Sequence, residues 1–406
     1  MKILHTADWH IGKKLHKHEL REDFDLFINW LCDIIEKYQV DLLLVSGDIF
    51  DLANPSSEAR KQYFQALVRL QNLNLQIILT GGNHDSPNML NAPSELIRLL
   101  DINIIGGLPE KFEETIIPIK NEKGDIEVVI AALPYLRDAD LRQAVEGQNN
   151  EERKQEVLNG IENIFTKAGE FCKTQYPDIP AIAMGHLFAA GMETSESERE
   201  IQIGNLAAFN ANQFGDYFSY IALGHIHKPQ QVKAKVPTLY SGSPIPLSFS
   251  EYNDQKRVLI VDTDDFKIES LPVPVFRKLM IISGNLASLK QKLEVLSPQQ
   301  GLDSLIELIL KEDEYNAQKI IELEIIINEF QTEGYEIVKH KTEFKHKLQG
   351  SSEIFDHQAK LENLKPQDIF SKMMETQEFD DESKTKVIDA FQELLENLEG
   401  SADQSI

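Results

Sequence analysis

The stretch VDLLLVSGDIFD, residues 40–51, decides the fold. Residues 40–46 form a nearly unbroken apolar run, as expected of a strand covered on both faces in a buried parallel sheet. The run stops at Gly47-Asp48, with Asp51 close behind. A glycine there permits a sharp turn and a close backbone approach. Helical spacing lies on both sides. Phe24, Phe27, Ile28, Leu31, Ile34 and Ile35 recur within 20–38, and 57–70 is again helical. Strands alternating with helices predict a layered α/β domain.

Working outward, strands are expected at 2–6, 75–80, 127–132, 181–184 and 220–223. A short helix is expected at 93–100 and a long amphipathic one at 151–172. Five of the β-like runs end in the same kinds of residue: Asp8-Trp-His10, Gly47-Asp48 with Asp51, Gly82-Asn83-His84-Asp85, Gly185-His186, and Gly224-His225-Ile-His227. In an open α/β sheet the loops at the carboxyl ends of the strands converge on one crevice. These residues therefore face one spot. Asp, His and Asn without a thiolate suit Mn²⁺, Fe²⁺ or Zn²⁺ at a catalytic site better than a structural zinc. Seven potential ligands are too many for one ion and right for two that share a carboxylate. Such a pair clamps the attacking and leaving oxygens of a phosphoryl displacement.

This ordered set resembles the calcineurin-like metallophosphoesterase superfamily. The opening Leu4-His-Thr-Ala-Asp-Trp-His-Ile-Gly12 and the segment Tyr240-Ser-Gly-Ser-Pro244 further resemble the SbcD nuclease family within it. The resemblance implies a β-sandwich flanked by helices, a small α+β capping domain and a C-terminal helical tail. It implies one metal ion on Asp8, His10, Asp48 and His227, and a second on Asp48, Asn83, His186 and His225. The ions would be Mn²⁺, with Mg²⁺, Fe²⁺ or Zn²⁺ possible. His84 is then the histidine that contacts phosphate and assists the leaving oxygen. Asp85 would orient it by accepting its second ring N–H, and Asp51 would stand behind the ligands. The family further implies DNA as substrate, with exonuclease action on duplex ends and endonuclease action on hairpins or single strands. It implies an SbcC-type ATPase partner, a homodimer, and a role in DNA repair and recombination.

The domain reading is 1–275 for the nuclease domain, 276–350 for a DNA-facing capping domain, and 351–406 for an acidic partner-binding tail. Past 276, strands are expected at 278–282, 304–310, 321–327 and 335–345, with a helix at 285–296. The Pro272–Pro274 pair marks the linker. The tail holds 14 acidic and 5 basic residues, a net charge of −9. It carries one apolar stripe: Val387, Ile388, Phe391, Leu394, Leu395 and Leu398. The stripe docks either on the chain's own core or in a partner's groove. Lys13, Lys14, His16, Lys17 and His18 grip a DNA backbone or line a solvated loop. Ser56 or Ser57 either contacts phosphate or caps a helix. Basic 339–347 is a candidate DNA-facing edge. His5 is expected to be buried, and Trp9 to pack under the site.

The chain has 406 residues, room for two or three domains and a full core. Its net charge of −25 excludes a generally basic nucleic-acid binder, though not a local anion site fed by metal ions. Two cysteines, Cys32 and Cys172, exclude a disulfide framework. With no signal-like start and no run long enough to span a membrane, a cytoplasmic protein is expected. No phosphate-cradling Gly-x-x-x-x-Gly-Lys-[Ser/Thr] loop is present, so any ATP dependence would come from another chain. Two alternatives stay open. One is a small-molecule phosphodiesterase or phosphatase with the same two-metal core, against which the residues after 276 count. The other is a non-enzymatic scaffold, against which the complete ligand set counts.

Overall fold

The computed structural model describes residues 1–121, 123–141, 149–198, 209–298, 300–345 and 391. Two six-stranded sheets pack face to face. The first runs Ile268–Pro272, Arg257–Asp262, Lys2–Thr6, Leu42–Ser46, Gln76–Thr80, Ile102–Ile105, with the last four parallel. The second runs Gln230–Val232, Thr238–Tyr240, Tyr220–Gly224, Ala181–His186, Ile126–Ala132, Ile116–Lys120, with the four central strands parallel.

Strand side chains alternate between faces, so each apolar run serves two cores. Ile3, Leu42, Leu44 and Ile78 meet Val128, Ile130, Ile182 and Met184 between the sheets. Leu4, Leu43, Val45, Ile77 and Leu79 face outward beneath helices Arg21–Tyr38 and Ser57–Gln71. Val129, Ala131, Ala183, Ile221 and Leu223 cover the other side beneath Asn150–Gln175. A capping box starts that helix: Asn149 Oδ1 accepts the Glu152 N–H, and Glu152 returns the contact. The four layers are the layered α/β domain expected from the pattern, and the helix-flanked β-sandwich that the resemblance implies. His5 is buried between the sheets, 2.8 Å from the Tyr220 hydroxyl. Trp9 is fully buried, edge-on to Phe24 and Phe27.

A third sheet holds Leu279–Gly284, Ser304–Glu312 and Tyr335–Phe344, all parallel. Parallel neighbours need a crossover connection, and helices Leu286–Glu294 and Ala317–Glu329 supply them. The strand expected at 321–327 is therefore wrong. The isoleucine-rich stretch is helical, capped by Asn316 and turning Leu323 inward while Ile321 and Ile325 stay exposed. Connectivity overrode β-branched composition there. This unit is pinned to the sandwich. Arg277 Nε reaches both carboxylate oxygens of Asp23 at 2.9 and 3.0 Å, and its Nη1 donates to the Asp303 carbonyl at 2.7 Å. His18 lies 2.7 Å from Glu336 across the same boundary. The tail 351–406 lies outside the described residues, Phe391 excepted.

Candidate active site

The two sheets end side by side at one rim, and glycines let them meet. A Cβ on Gly224 would stand 1.7 Å from the Ser46 carbonyl oxygen, one on Gly82 would stand 2.1 Å from Asp48 Oδ1, and one on Gly47 would strike the His186 ring. Gly47 also has φ +83°. Beyond the strand ends the backbone is strained. Asp8, His10, Asp48 and His225 adopt φ of 54°, 45°, 48° and 103°, a region non-glycine residues rarely visit and one that clusters at functional sites. Main-chain bonds tie the first loop to the second: Asp8 N to Gly47 O, His10 N to Asp48 O, Ile11 N to Ile49 O.

Ligand atoms of Asp8, His10, Asp48 and His227 lie within 4.8 Å of one another, as do those of Asp48, His186 and His225. Asp48 belongs to both groups. Its Oδ2 is 3.5 Å from His10 Nε2 and 3.4 Å from His186 Nε2. Asn83 Oδ1 closes the second group, 3.0 Å from His186 Nε2 and 3.3 Å from His225 Nδ1. In the first group His10 Nε2 and His227 Nε2 are 3.1 Å apart. All seven residues expected to hold metal are thus at one place. Asp51 Oδ1 lies 3.4 Å from His10 Nδ1 and accepts from Lys13 Nζ at 3.0 Å, so it stands behind His10.

His84 and Asp85 are present, but their relation is not the expected one. The Asp51 carbonyl oxygen takes His84 Nδ1, at 2.8 Å. Asp85 instead accepts three main-chain N–H groups, from Ile49, Phe50 and Gly82 at 3.0, 2.9 and 2.8 Å. The reason is local. The tight 82–85 turn folds the Asp85 carboxylate back onto the donors of the Gly47–Phe50 turn. Asp85 shapes the floor, and a main-chain carbonyl sets the His84 ring. Since a carbonyl only accepts, the ring hydrogen sits on Nδ1 and leaves Nε2 as the titrating atom.

Behind His227 is a buried network that sequence reasoning missed. Its Nδ1 is 2.6 Å from Ser197 Oγ, which bonds in turn to Glu251. Glu251 and Lys256 are both buried, with Nζ to Oε2 at 2.6 Å, and Lys256 also donates to the His227 carbonyl at 2.9 Å. Glu251 and Lys256 sit in a polar stretch, Ser250-Glu-Tyr-Asn-Asp-Gln-Lys-Arg257, with no signal to set them apart. The end of Ile126–Ala132 also escapes the sequence reading, although the convergence rule applies to it. Tyr135 and Arg137 follow it to the same rim.

The donor set fits divalent cations. Asp8 Oδ2 and His225 Nε2 are buried with no hydrogen-bond partner, a state that costs roughly 1–3 kcal/mol per group unless an ion satisfies it. Charge is frustrated as well. Burial pushes Asp8 up to about 7 and pulls His10 down to about 4. For His186, burial acts downward, but the Asp48 carboxylate, then Asp8, lift the imidazole to about 9. Without metal, a proton sits where two carboxylates call for positive charge. The Ser46 carbonyl holds His186 Nδ1 at 3.0 Å and so aims Nε2 into the cluster, the usual support for a ligating histidine.

Several basic residues are less available than the sequence suggests. Lys13 pairs with Asp51 and Lys14 with Glu19. Lys339, His340, Lys341 and Lys345 each pair with a carboxylate. Ser56 caps its helix by accepting the Ala59 N–H at 3.1 Å.

A family model described as calcineurin-like phosphoesterase matches residues 1–229, the part of the chain that builds this rim. The chain belongs to the calcineurin-like phosphoesterases. A second model, described as a type 5 capsule protein repressor C-terminal domain, matches residues 275–378. The phosphoesterase is 30% identical to the SbcD component of the SbcCD nuclease of Escherichia coli K12, over 98% of this chain and 99% of that one. Its identity to the SbcD components of Rhodobacter capsulatus and Bacillus subtilis is 36% and 33%, over 64% of this chain and 66% of each. A solved dimetal phosphatase from Danio rerio aligns with TM-score 0.39 at 9% identity, over 68% of this chain and 97% of that one, too distant to argue from. The phosphoesterase is a hydrolase of the nuclease type, with a rim suited to divalent metal. Among the described residues no helix is long and apolar enough to cross a membrane.

Proposed function

We propose that the chain cuts DNA phosphodiester bonds at this rim with two Mn²⁺ ions. The observation that carries the reading is the place of Asp48 Oδ2, within 3.5 Å of histidine nitrogens from both groups. Asp8, His10, Asp48 and His227 would hold one ion, and Asp48, Asn83, His186 and His225 the other. Such a pair supplies an activated water at neutral pH and neutralises charge on the phosphate oxygens. The chain's own residues do the rest. His84, its Nδ1–H fixed on the Asp51 carbonyl, presents Nε2 to the phosphate and, as the imidazolium, passes the Nε2 proton to the leaving oxygen, returning to the neutral ring. Asp85 rigidifies the turn that carries Asn83 and His84. Glu251, through Ser197, fixes the tautomer and angle of His227.

The reading extends to partners and place. The relatives are named as one subunit of SbcCD, which supports a second subunit as partner; the reading makes it an SbcC-type ATPase that acts with this chain in DNA repair in the cytoplasm. Residues 1–275 would form the nuclease, 276–350 the capping domain and 351–406 the partner-binding tail. Exposed Leu96 and Leu99, at 74% and 81%, favour a homodimer that covers them. The test compares a hairpin oligonucleotide, linear duplex DNA and p-nitrophenyl esters, each with Mn²⁺ and with chelator. Metal-dependent cleavage of the DNA is expected. Turnover confined to the esters would favour a small-molecule phosphodiesterase instead.

A further inference from the structure

The loop that leaves Ile126–Ala132 is fastened to the rim. Tyr135 N donates to the Gly81 carbonyl at 2.8 Å, just before the turn that carries Asn83 and His84. The Tyr135 ring stands edge-on to His186, with centroids 6.3 Å apart. Over the Tyr135 ring lies the Arg137 guanidinium, its Cζ 5.9 Å from the centroid, and Arg137 Nη2 donates to the Asp85 carbonyl at 3.1 Å. A half-buried cation is thus held beside the Asn83–Asp85 turn by a ring and a carbonyl. Among the described residues no ion pair neutralises its charge. Asp140 takes the Arg137 main-chain N–H, at 2.8 Å, and the guanidinium has no carboxylate partner among the described residues. That is conspicuous in a chain with 66 acidic and 41 basic residues. Other cations at the rim are spoken for: Lys13 by Asp51, Lys14 by Glu19, Lys228 by Glu193.

A guanidinium offers a planar fork of N–H donors that matches phosphate oxygens. We propose that Arg137 binds the substrate phosphate next to the scissile one, on the Asn83 and His186 side of the site. It thereby favours a polynucleotide over an isolated ester, which has no neighbouring phosphate. This rests on the nuclease reading above and names the feature of the substrate that the site measures.

The test uses the full chain with Mn²⁺, a single-stranded oligonucleotide, and bis(p-nitrophenyl) phosphate. For Arg137→Ala, kcat/KM on the oligonucleotide relative to the small diester should fall about ten-fold or more, mainly through KM. The slope of log kcat/KM against log salt on the oligonucleotide should shrink by about 0.7, the mark of one lost phosphate contact. Arg137→Lys should restore part of the ratio, since it keeps the charge without the fork. A parallel fall on both substrates with an unchanged salt slope, or no change in the ratio, would overturn the proposal and leave Arg137 a brace for Asp85. If Arg137→Ala does not fold, Arg137→Lys decides: a raised KM on the oligonucleotide alone supports the inference, and a parallel change sinks it. Wild-type enzyme that turns over the small diester but not the oligonucleotide would instead defeat the nuclease reading itself.

Discussion

Single atoms set the chemistry of this site. His84 donates its Nδ1 hydrogen to the Asp51 carbonyl, so in the proposed mechanism Nε2 would be the ring atom that exchanges a proton with substrate. Replacing His84 by Gln keeps a polar side chain in place but removes the ring nitrogen that can gain and lose a proton. Cleavage should fall by roughly 10²–10⁴, the usual worth of general acid–base catalysis, while Mn²⁺ binding stays near wild type. Rate assays paired with calorimetry check both halves, and undiminished cleavage would take His84 out of the mechanism. A second residue acts on stability alone. Burial between the sheets lowers His5 from 6.5 to about 3. Below pH 6.5 the unfolded chain takes up a proton that folded His5 refuses, so stability falls with pH across that window. The slope contributed is up to about 1.4 kcal/mol per pH unit. Urea denaturation at pH 7 and pH 5 should show a smaller loss for His5→Phe than for wild type. Equal losses would mean that His5 takes up its proton in the folded state.

At the scale of elements, the site is a product of strand ends. Residues 40–51 were readable because a buried parallel strand must be apolar throughout and must stop where chemistry starts. The same logic located Asp8, His10, Asn83, His84, His186, His225 and His227 from sequence alone. It could not show what depends on tertiary approach. The Asp85 carboxylate turned to backbone N–H groups, and Glu251 with Lys256 came together from a segment with no strand-end signature. The 321–327 run failed because β-branched composition is a weaker constraint than the crossover that two parallel strands require. One element contact invites a direct test. Asp23, on helix Arg21–Tyr38, and Arg277, at the entry to the third sheet, are 4% and 5% exposed. Asp23→Ala would leave a buried guanidinium without its carboxylate, at a cost of about 3–5 kcal/mol. A lowered urea midpoint, with faster proteolysis near Arg277, is expected. An unchanged midpoint would show that the third sheet holds its place without this pair.

Over the whole molecule, net charge governs how substrate arrives. At −25, with many basic side chains already paired, the isolated chain repels a polyanion except at the rim. Its DNA affinity should be weak and should fall steeply as salt rises toward physiological strength. An SbcC-type partner would then contribute most of the phosphate-binding surface. Fluorescence anisotropy with and without that partner checks this, and tight binding by the lone chain at physiological salt would contradict it. The most direct measurement of the central claim is calorimetric titration of the chelator-stripped chain with Mn²⁺, alongside Asp48→Asn. Two equivalents per chain for wild type, with both sites weakened together by the one substitution, are predicted. A single equivalent, or loss of only one site in Asp48→Asn, would contradict the shared two-cation centre.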